Sequence, residues 1–159
     1  MKKLLLIRHA KAVHDTSYDD FERPLTPSGV KDAEFMAERL LNKNIIPQIL
    51  VSSPAVRALA TADIFSEYLS LSRPEQVDSI YEASQITLLE VINDLDDRYD
   101  FIGIAGHNPT IEQMAKYLTG QNVDFPTCAV ALIVFEIDSW QQVGAGTGDL
   151  KWYDSPKEH

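Results

Sequence analysis

The chain has 159 residues, of which 45% are hydrophobic and 24% are charged. Its formal net charge of −10 would repel nucleic-acid phosphates and anionic membranes, and no run of Lys and Arg forms a basic patch. We therefore expect neither a nucleic acid nor a membrane as a partner. The longest apolar runs are far shorter than the roughly 20 residues of a membrane-spanning helix.

The length fits one domain over residues 1–159, because domains commonly have roughly 100–200 residues and no linker or repeat divides this chain. The apolar run between Lys3 and Arg8 is too short for a signal peptide. The single cysteine, Cys128, cannot form an internal disulfide and is compatible with a reducing compartment. We expect a cytoplasmic protein, and the sequence leaves its oligomeric state open.

The first predicted element is a buried strand, Leu4 to Ile7, which stops at Arg8 and His9. The polar segment Lys11 to Arg23 that follows predicts a loop at the rim of whatever binds near the histidine. Apolar residues at helical spacing then predict an amphipathic helix from Pro27 to about Lys43.

A second strand is predicted within Pro47 to Ser53, and Pro54 follows it directly. Proline favours the first turn of a helix and serine favours the capping position, so we expect Ser53 to cap a helix that runs to about Leu71. Arg57 then lies at the start of this helix, where free backbone amides attract anions.

The same order of residues recurs later in the chain. The β-rich run Phe101 to Gly106 leads into His107, and Asn108 is expected to cap a helix that starts at Pro109. Because both junctions follow a strand, we expect them to lie at the same edge of one sheet.

The remaining segments give shorter predictions. We expect a strand at Gln76–Ile80, a helix capped by Ser84 that reaches Leu95, a buried strand at Cys128–Phe135, an edge strand at Asp149–Tyr153 and a frayed end at Ser155–His159.

Strands that alternate with helices predict an α/β fold with a mainly parallel sheet, and ligands of such sheets gather outside the carboxyl ends of the strands. This rule brings Arg8, His9, Arg57 and His107 to one site. Each of them alone is more often a structural or surface residue. Their common position at strand ends favours a functional interpretation.

The chemistry of these side chains points to phosphoryl transfer. A neutral imidazole holds a lone pair that can attack phosphorus, and the phosphoramidate so formed can later be hydrolysed. Arginines stabilise the oxygens of the transferring group by charge and by paired hydrogen bonds. No H-x-x-x-H or C-x-x-C spacing indicates a metal, so we expect an enzyme without metal or cofactor.

Four motifs resemble those of the histidine phosphatase superfamily, and they occur in the order found in that family. They are Leu6–Ala10, Leu25–Gly29, Ser52–Ala62 and Gly106–Pro109. The segments Arg23–Thr26 and Tyr81–Ser84, together with the short chain, are most similar to the SixA-type phosphohistidine phosphatases. Ala10 stands where a glycine often follows the histidine, and His14-Asp15-Thr16 stands where larger members place an asparagine.

The resemblance implies a three-layer α/β/α sandwich of the phosphoglycerate mutase-like type. It makes His9 the nucleophile, places Arg8, Arg57 and His107 around the phosphoryl group, and adds Arg23 at the rim of the substrate site. Glu82 resembles the acidic proton donor of the mutase-like members.

Three functions are compatible with these residues. The first is a phosphatase that removes phosphate from phosphohistidine, with a phosphohistidine-bearing protein as substrate. The second is hydrolysis of a small phosphorylated molecule, with Glu82 as general acid, because an alkoxide needs a proton to leave whereas an imidazole needs much less help. The third is a phosphate-binding or interaction module without catalysis.

Overall fold

The computed structural model describes all 159 residues, which form one six-stranded sheet and four α-helices. The strands are β1 (Lys2–Arg8), β2 (Ile49–Ser52), β3 (Glu75–Gln76), β4 (Phe101–Gly106), β5 (Val130–Phe135) and β6 (Gly148–Asp154). The helices are α1 (Pro27–Asn42), α2 (Val56–Tyr68), α3 (Gln85–Asn93) and α4 (Thr110–Thr119). None of these helices combines the length and the apolar character that crossing a membrane requires.

The strands are arranged in the order β3-β2-β4-β1-β5-β6. The first four run parallel to one another, β5 runs antiparallel to β1, and β6 runs antiparallel to β5. The predicted α/β fold with a mainly parallel sheet is confirmed. Because β1 lies inside the sheet, its carboxyl end lies beside that of β4, where Arg8 is paired with Gly106.

The side chains of β1 contribute to a hydrophobic core on each side of the sheet, since successive side chains of a strand point to opposite faces. Leu4 and Leu6 pack into a core with α3 and α4, whereas Leu5 and Ile7 pack into a second core with α1 and α2. All four side chains are fully buried, which stabilises the fold by about 2 kcal/mol each. The sheet is therefore the middle of three layers, as the resemblance implied.

Helix starts agree with the sequence at α3 but not at α2. Ser84 caps α3, since its Oγ accepts a hydrogen bond from the Thr87 amide at 3.1 Å. The prediction that Ser53 caps α2 is wrong, because α2 begins at Val56 after a cap position without a side-chain bond. The Ser53 hydroxyl instead accepts from the Ala55 amide at 3.2 Å, inside the turn that precedes the helix.

The second junction differs from its prediction by one residue. Helix α4 begins at Thr110, with Pro109 in the cap position. Asn108 still supplies the expected acceptor, because its Oδ1 lies 3.2 Å from the amide nitrogen of Glu112 in the first turn of the helix.

Two further predictions need correction. The strand expected at Gln76–Ile80 covers only Glu75–Gln76, because Asp78–Ile80 turns into a 3-10 helix. The end of the chain is ordered and not frayed: Ser155 is fully buried, and the His159 ring lies 3.0 Å from Asp154 Oδ2 and packs against Phe35. These contacts fix the last residues against α1.

Candidate active site

His9 directly follows β1, and its own backbone forms hydrogen bonds with the two neighbouring segments of the chain. Its amide donates to the Gly106 carbonyl at 3.1 Å, and its carbonyl accepts from the Cys128 amide at 3.0 Å. The side chain is only 8% exposed. The end of β1 therefore presents this imidazole in a fixed position at the carboxyl edge of the sheet.

The hydrogen bond of the His9 ring determines which of its nitrogens is free. Nδ1 lies 2.7 Å from the Ala10 carbonyl oxygen. Because a carbonyl oxygen can only accept, Nδ1 carries the proton and Nε2 keeps its lone pair. The ring is thus oriented with an unprotonated nitrogen available for attack.

Arg57 is the second residue of α2 and is almost completely buried, at 5% exposure. Thr61, one turn further along, joins this helix to the segment after His9. Its hydroxyl donates to the Arg57 carbonyl at 2.8 Å and accepts from the Ala10 amide at 3.0 Å. The spacing between the histidine and the arginine is therefore fixed by a buried threonine.

Arg8 and His107 complete the group. Arg8 donates to the Phe125 carbonyl at 2.9 Å, and the His107 Nε2 lies 2.8 Å from Ser53 Oγ. The His9 and His107 rings are 5.3 Å apart between centroids. The sequence-based expectation that the two strand-to-helix junctions lie at one edge is confirmed by the contact between Ser53 and His107.

These side chains surround a cleft of about 310 Å³. Its charged and titratable lining consists of Arg8, His9, Lys11, His14, Asp20, Arg23, Arg57 and His107. Buried nitrogens of three of these residues have no hydrogen-bond partner: the Nε atoms of Arg8 and Arg57 and the Nδ1 of His107. Buried polar groups are normally paired, so three unpaired nitrogens among the residues that line one cleft are unusual.

The cleft keeps both imidazoles neutral. Burial, together with the nearby charges of Arg57 and Arg8, lowers the pKa of His9 to about 3. Burial and the charge of Arg57 lower the pKa of His107 to about 4. At physiological pH the lone pair of His9 is therefore present in essentially every molecule, as a nucleophile requires.

Sequence reasoning missed three residues of this site, namely Asp20, Ser53 and Tyr81. Asp20 accepts hydrogen bonds from Arg57, Arg23 and Tyr81, and the Tyr81 ring packs 5.8 Å from that of His107. Asp20 lies three residues before Arg23, and this spacing was the one signal in the sequence. Arg23 itself lines the cleft as expected, and it also donates to the Val13 carbonyl at 3.0 Å.

Glu82 does not line the cleft that contains His9. It is exposed, has a positive φ of 57°, and borders a neighbouring cavity of about 380 Å³. The two cavities share His107 and Asn108 as a common wall. The structure thus places Glu82 beside the candidate site, separated from His9 by this wall.

A slightly larger cavity, of about 400 Å³, lies between β2 and α3. Its charged side chains, Glu75, Glu90, Asp94 and Asp96, are all acidic, so it would repel a phosphate group. We therefore assign the chemistry to the smaller cationic cleft. No three or more His, Cys, Asp or Glu side chains converge in a way that could hold a metal ion.

Comparison with known proteins agrees with this geometry. An uncharacterized chloroplastic protein of Arabidopsis thaliana is 29% identical over 95% of this chain and 74% of its own length. A protein of Agrobacterium tumefaciens assigned as phosphohistidine phosphatase SixA has a similar structure, with a TM-score of 0.82, 23% identity and 98% coverage of both chains. The structure of the protein histidine phosphatase SixA in complex with tungstate is also similar, with a TM-score of 0.79, 24% identity and 98% coverage of both chains.

The family comparison is decisive for classification. The histidine phosphatase superfamily (branch 1) matches residues 4–85, just over half of the chain. The matched region includes the end of β1, the start of α2, and α1 and β2 between them. The structural neighbours add the phosphoglycerate mutase-like fold. The chain therefore belongs to the histidine phosphatase superfamily and is a phosphatase with the fold of its SixA-type members.

Proposed function

We propose that this phosphatase hydrolyses phosphohistidine on a protein, through a covalent phosphohistidine intermediate at His9. In the first step the Nε2 lone pair of His9 forms a bond to phosphorus while the bond to the substrate imidazole breaks. Arg8, Arg57 and His107 enclose the phosphoryl group, and Arg23 binds at the rim. In the second step water attacks phosphorus, the N–P bond of His9 breaks, and inorganic phosphate leaves.

The absence of a protonated carboxyl group in the cleft is the observation that favours phosphohistidine over an ester. Asp20 is the only carboxylate that lines the cleft, and hydrogen bonds from Tyr81 and Arg57 lower its pKa to about 2, so it cannot donate a proton at neutral pH. An alkoxide would leave slowly without such a donor. A substrate imidazole that is protonated on its other nitrogen leaves as a neutral molecule, so this reaction needs no enzyme acid.

The proton inventory of His9 fits the same reaction. Its Nδ1 is protonated and its Nε2 is not, so the phosphorylated ring has the same charge as the protonated phosphohistidine of the substrate. Transfer of the phosphoryl group from one ring to the other then requires no net movement of protons.

The cytoplasmic location expected from the sequence stays a prediction.

Replacement of His9 tests the mechanism directly. We expect His9→Ala to lower the rate of phosphohistidine hydrolysis by at least about 1,000-fold, because the nucleophile is lost. The measurement is phosphate release from a phosphohistidine peptide at neutral pH. A matched control is His159→Ala, which removes a histidine that does not line the cleft and should retain activity. Equal turnover by His9→Ala and the parent would contradict the mechanism.

Glu82 supports a second candidate function, hydrolysis of a small phosphomonoester, because its cavity adjoins the cleft along His107 and Asn108. We compare Glu82→Gln with the parent on a phosphoramidate and on a phosphomonoester. For the proposed phosphohistidine phosphatase, we expect less than a twofold effect on the phosphoramidate. Turnover of the ester at a comparable rate by the parent, lost in Glu82→Gln, would favour the ester as substrate and Glu82 as its acid.

A further inference from the structure

Asp20 accepts hydrogen bonds from both terminal nitrogens of the Arg57 guanidinium. Its backbone carbonyl accepts from one terminal nitrogen of the guanidinium at 2.6 Å, and its carboxylate Oδ2 accepts from the other at 3.1 Å. The same Oδ2 accepts from the Tyr81 hydroxyl at 2.7 Å, and Oδ1 accepts from Arg23 Nε at 3.2 Å. One acidic side chain thus pairs with two of the arginines that line the cleft.

This carboxylate is a fixed negative charge in a site that otherwise attracts anions. One hydrogen bond from Tyr81 and one from Arg57 stabilise its ionised form. Four cations line the cleft, namely Arg8, Lys11, Arg23 and Arg57, and Asp20 is the only anion among them. A phosphate that binds to Arg57 must therefore approach a like charge, and Coulomb repulsion opposes its binding.

The position of Arg57 does not depend on that charge alone. The arginine is 5% exposed, its helix is joined to the His9 segment through Thr61, and the backbone carbonyl of residue 20 holds one of its nitrogens. An asparagine at position 20 keeps this carbonyl and an amide oxygen of similar size. This oxygen can replace Oδ2 as the acceptor for Arg57 and Tyr81, whereas the amide nitrogen cannot accept from Arg23 as Oδ1 does. The variant therefore removes the negative charge and this one exposed hydrogen bond.

We propose that Asp20 sets the affinity of the cleft for phosphate, by neutralising part of the charge of Arg57 and Arg23 and so weakening retention of the product. The residue acts through these arginines and is a positioning residue in that sense. This proposal rests on the proposed function only in assigning the phosphoryl group to the cleft. Its consequence is faster release of inorganic phosphate after each turnover.

Calorimetric titration with inorganic phosphate, and separately with vanadate, tests the proposal without any substrate. We expect Asp20→Asn to bind both anions about tenfold more tightly than the parent, a moderate effect because the Asp20 side chain is 56% exposed and water screens its charge. Asp20→Ala serves as a second variant and should shift affinity in the same direction. Thermal melting of each variant checks that it is folded.

Glu22 provides a matched control, because it lies on the same 3-10 turn, is exposed, and carries the same charge without lining the cleft. We expect Glu22→Gln to change phosphate affinity less than twofold. Three results would overturn the proposal: unchanged or weaker binding in Asp20→Asn, an equal gain in Glu22→Gln, or no binding of either anion to any of the folded proteins. A parent that binds phosphate but does not hydrolyse phosphohistidine would refute the proposed function and leave this inference standing.

Discussion

At the scale of single residues, His107 differs from His9 in the partner that holds its ring. The Ser53 hydroxyl accepts from the Ala55 amide and can therefore donate its own proton to His107 Nε2, 2.8 Å away. In that arrangement Nδ1 of His107 carries a proton, and this buried Nδ1 has no partner in the protein. A serine that donates to Nε2 thus favours the tautomer of His107 in which Nδ1 carries the proton.

We expect Ser53→Ala to lower kcat/KM for the phosphohistidine substrate roughly tenfold, because loss of a histidine's orienting partner commonly has effects of about this size. The steady-state rate is compared with that of Ser52→Ala. Ser52 is the buried neighbour, and its hydroxyl donates to the Ser53 carbonyl and not to a histidine. Both variants should lose about 1 kcal/mol of stability. If they lose activity equally, Ser53 has no role in orienting His107.

At the scale of elements, the sequence was sufficient wherever local patterns determine the structure. The apolar run of β1, the helical spacing of α1 and the cap of α3 are short-range features, and each is present in the structure. The start of α2 was not predictable in this way. The Ser53 hydroxyl makes contacts to Ala55 and His107, and the histidine arrives only when β4 packs beside β2.

The candidate site shows the same division. Arg8 ends β1, and the other three residues lie shortly after strand ends: His9 after β1, Arg57 after β2 and His107 after β4. Strand order alone therefore predicts that the four converge. Two of the three partners of Asp20, Arg57 and Tyr81, lie 37 and 61 residues away along the chain, and no spacing rule connects them to it. Long-range polar contacts of this kind depend on the folded geometry of loops. The sequence therefore predicts the convergence of the histidines and arginines on one cleft better than it predicts the hydrogen bonds that hold their side chains.

At the scale of the whole molecule, the acidic surface and the cationic cleft have opposite effects on an incoming phosphate. The net charge of −10 repels a free anion at long range, whereas the buried arginines attract it at short range. Salt screens the long-range repulsion more than the contacts inside the cleft. A phosphoryl group carried on a protein can be brought past the repulsive surface by contacts made elsewhere on that protein, which is consistent with the proposed substrate.

The stability of the protein should decrease as the pH is lowered, over a range set by the pKa values of His9 and His107. Unfolded histidines have a pKa of about 6.5, whereas the folded values are about 3 for His9 and about 4 for His107. Between pH 6.5 and pH 4 the unfolded chain therefore binds protons that the folded protein excludes, so the free energy of unfolding decreases as the pH is lowered. The contribution at pH 5 is about 2 kcal/mol per histidine. The carboxylates with lowered pKa add to this loss only near and below pH 4; they are Asp15, Asp20, Asp96, Asp97 and Asp154.

Urea unfolding at pH 7, 6 and 5 in phosphate-free buffer measures this dependence. A double variant, His9→Gln with His107→Asn, retains every other titrating group and should show a fall in stability between pH 7 and 5 that is smaller by about 4 kcal/mol. An identical pH dependence in the parent and the double variant would mean that the two rings become protonated in the folded protein. In that case Nε2 of His9 would lose its lone pair in mild acid, and hydrolysis of phosphohistidine would fall over the same pH range. We instead expect His9 to remain a competent nucleophile at pH 5, because burial that destabilises the folded protein in acid also keeps this ring neutral.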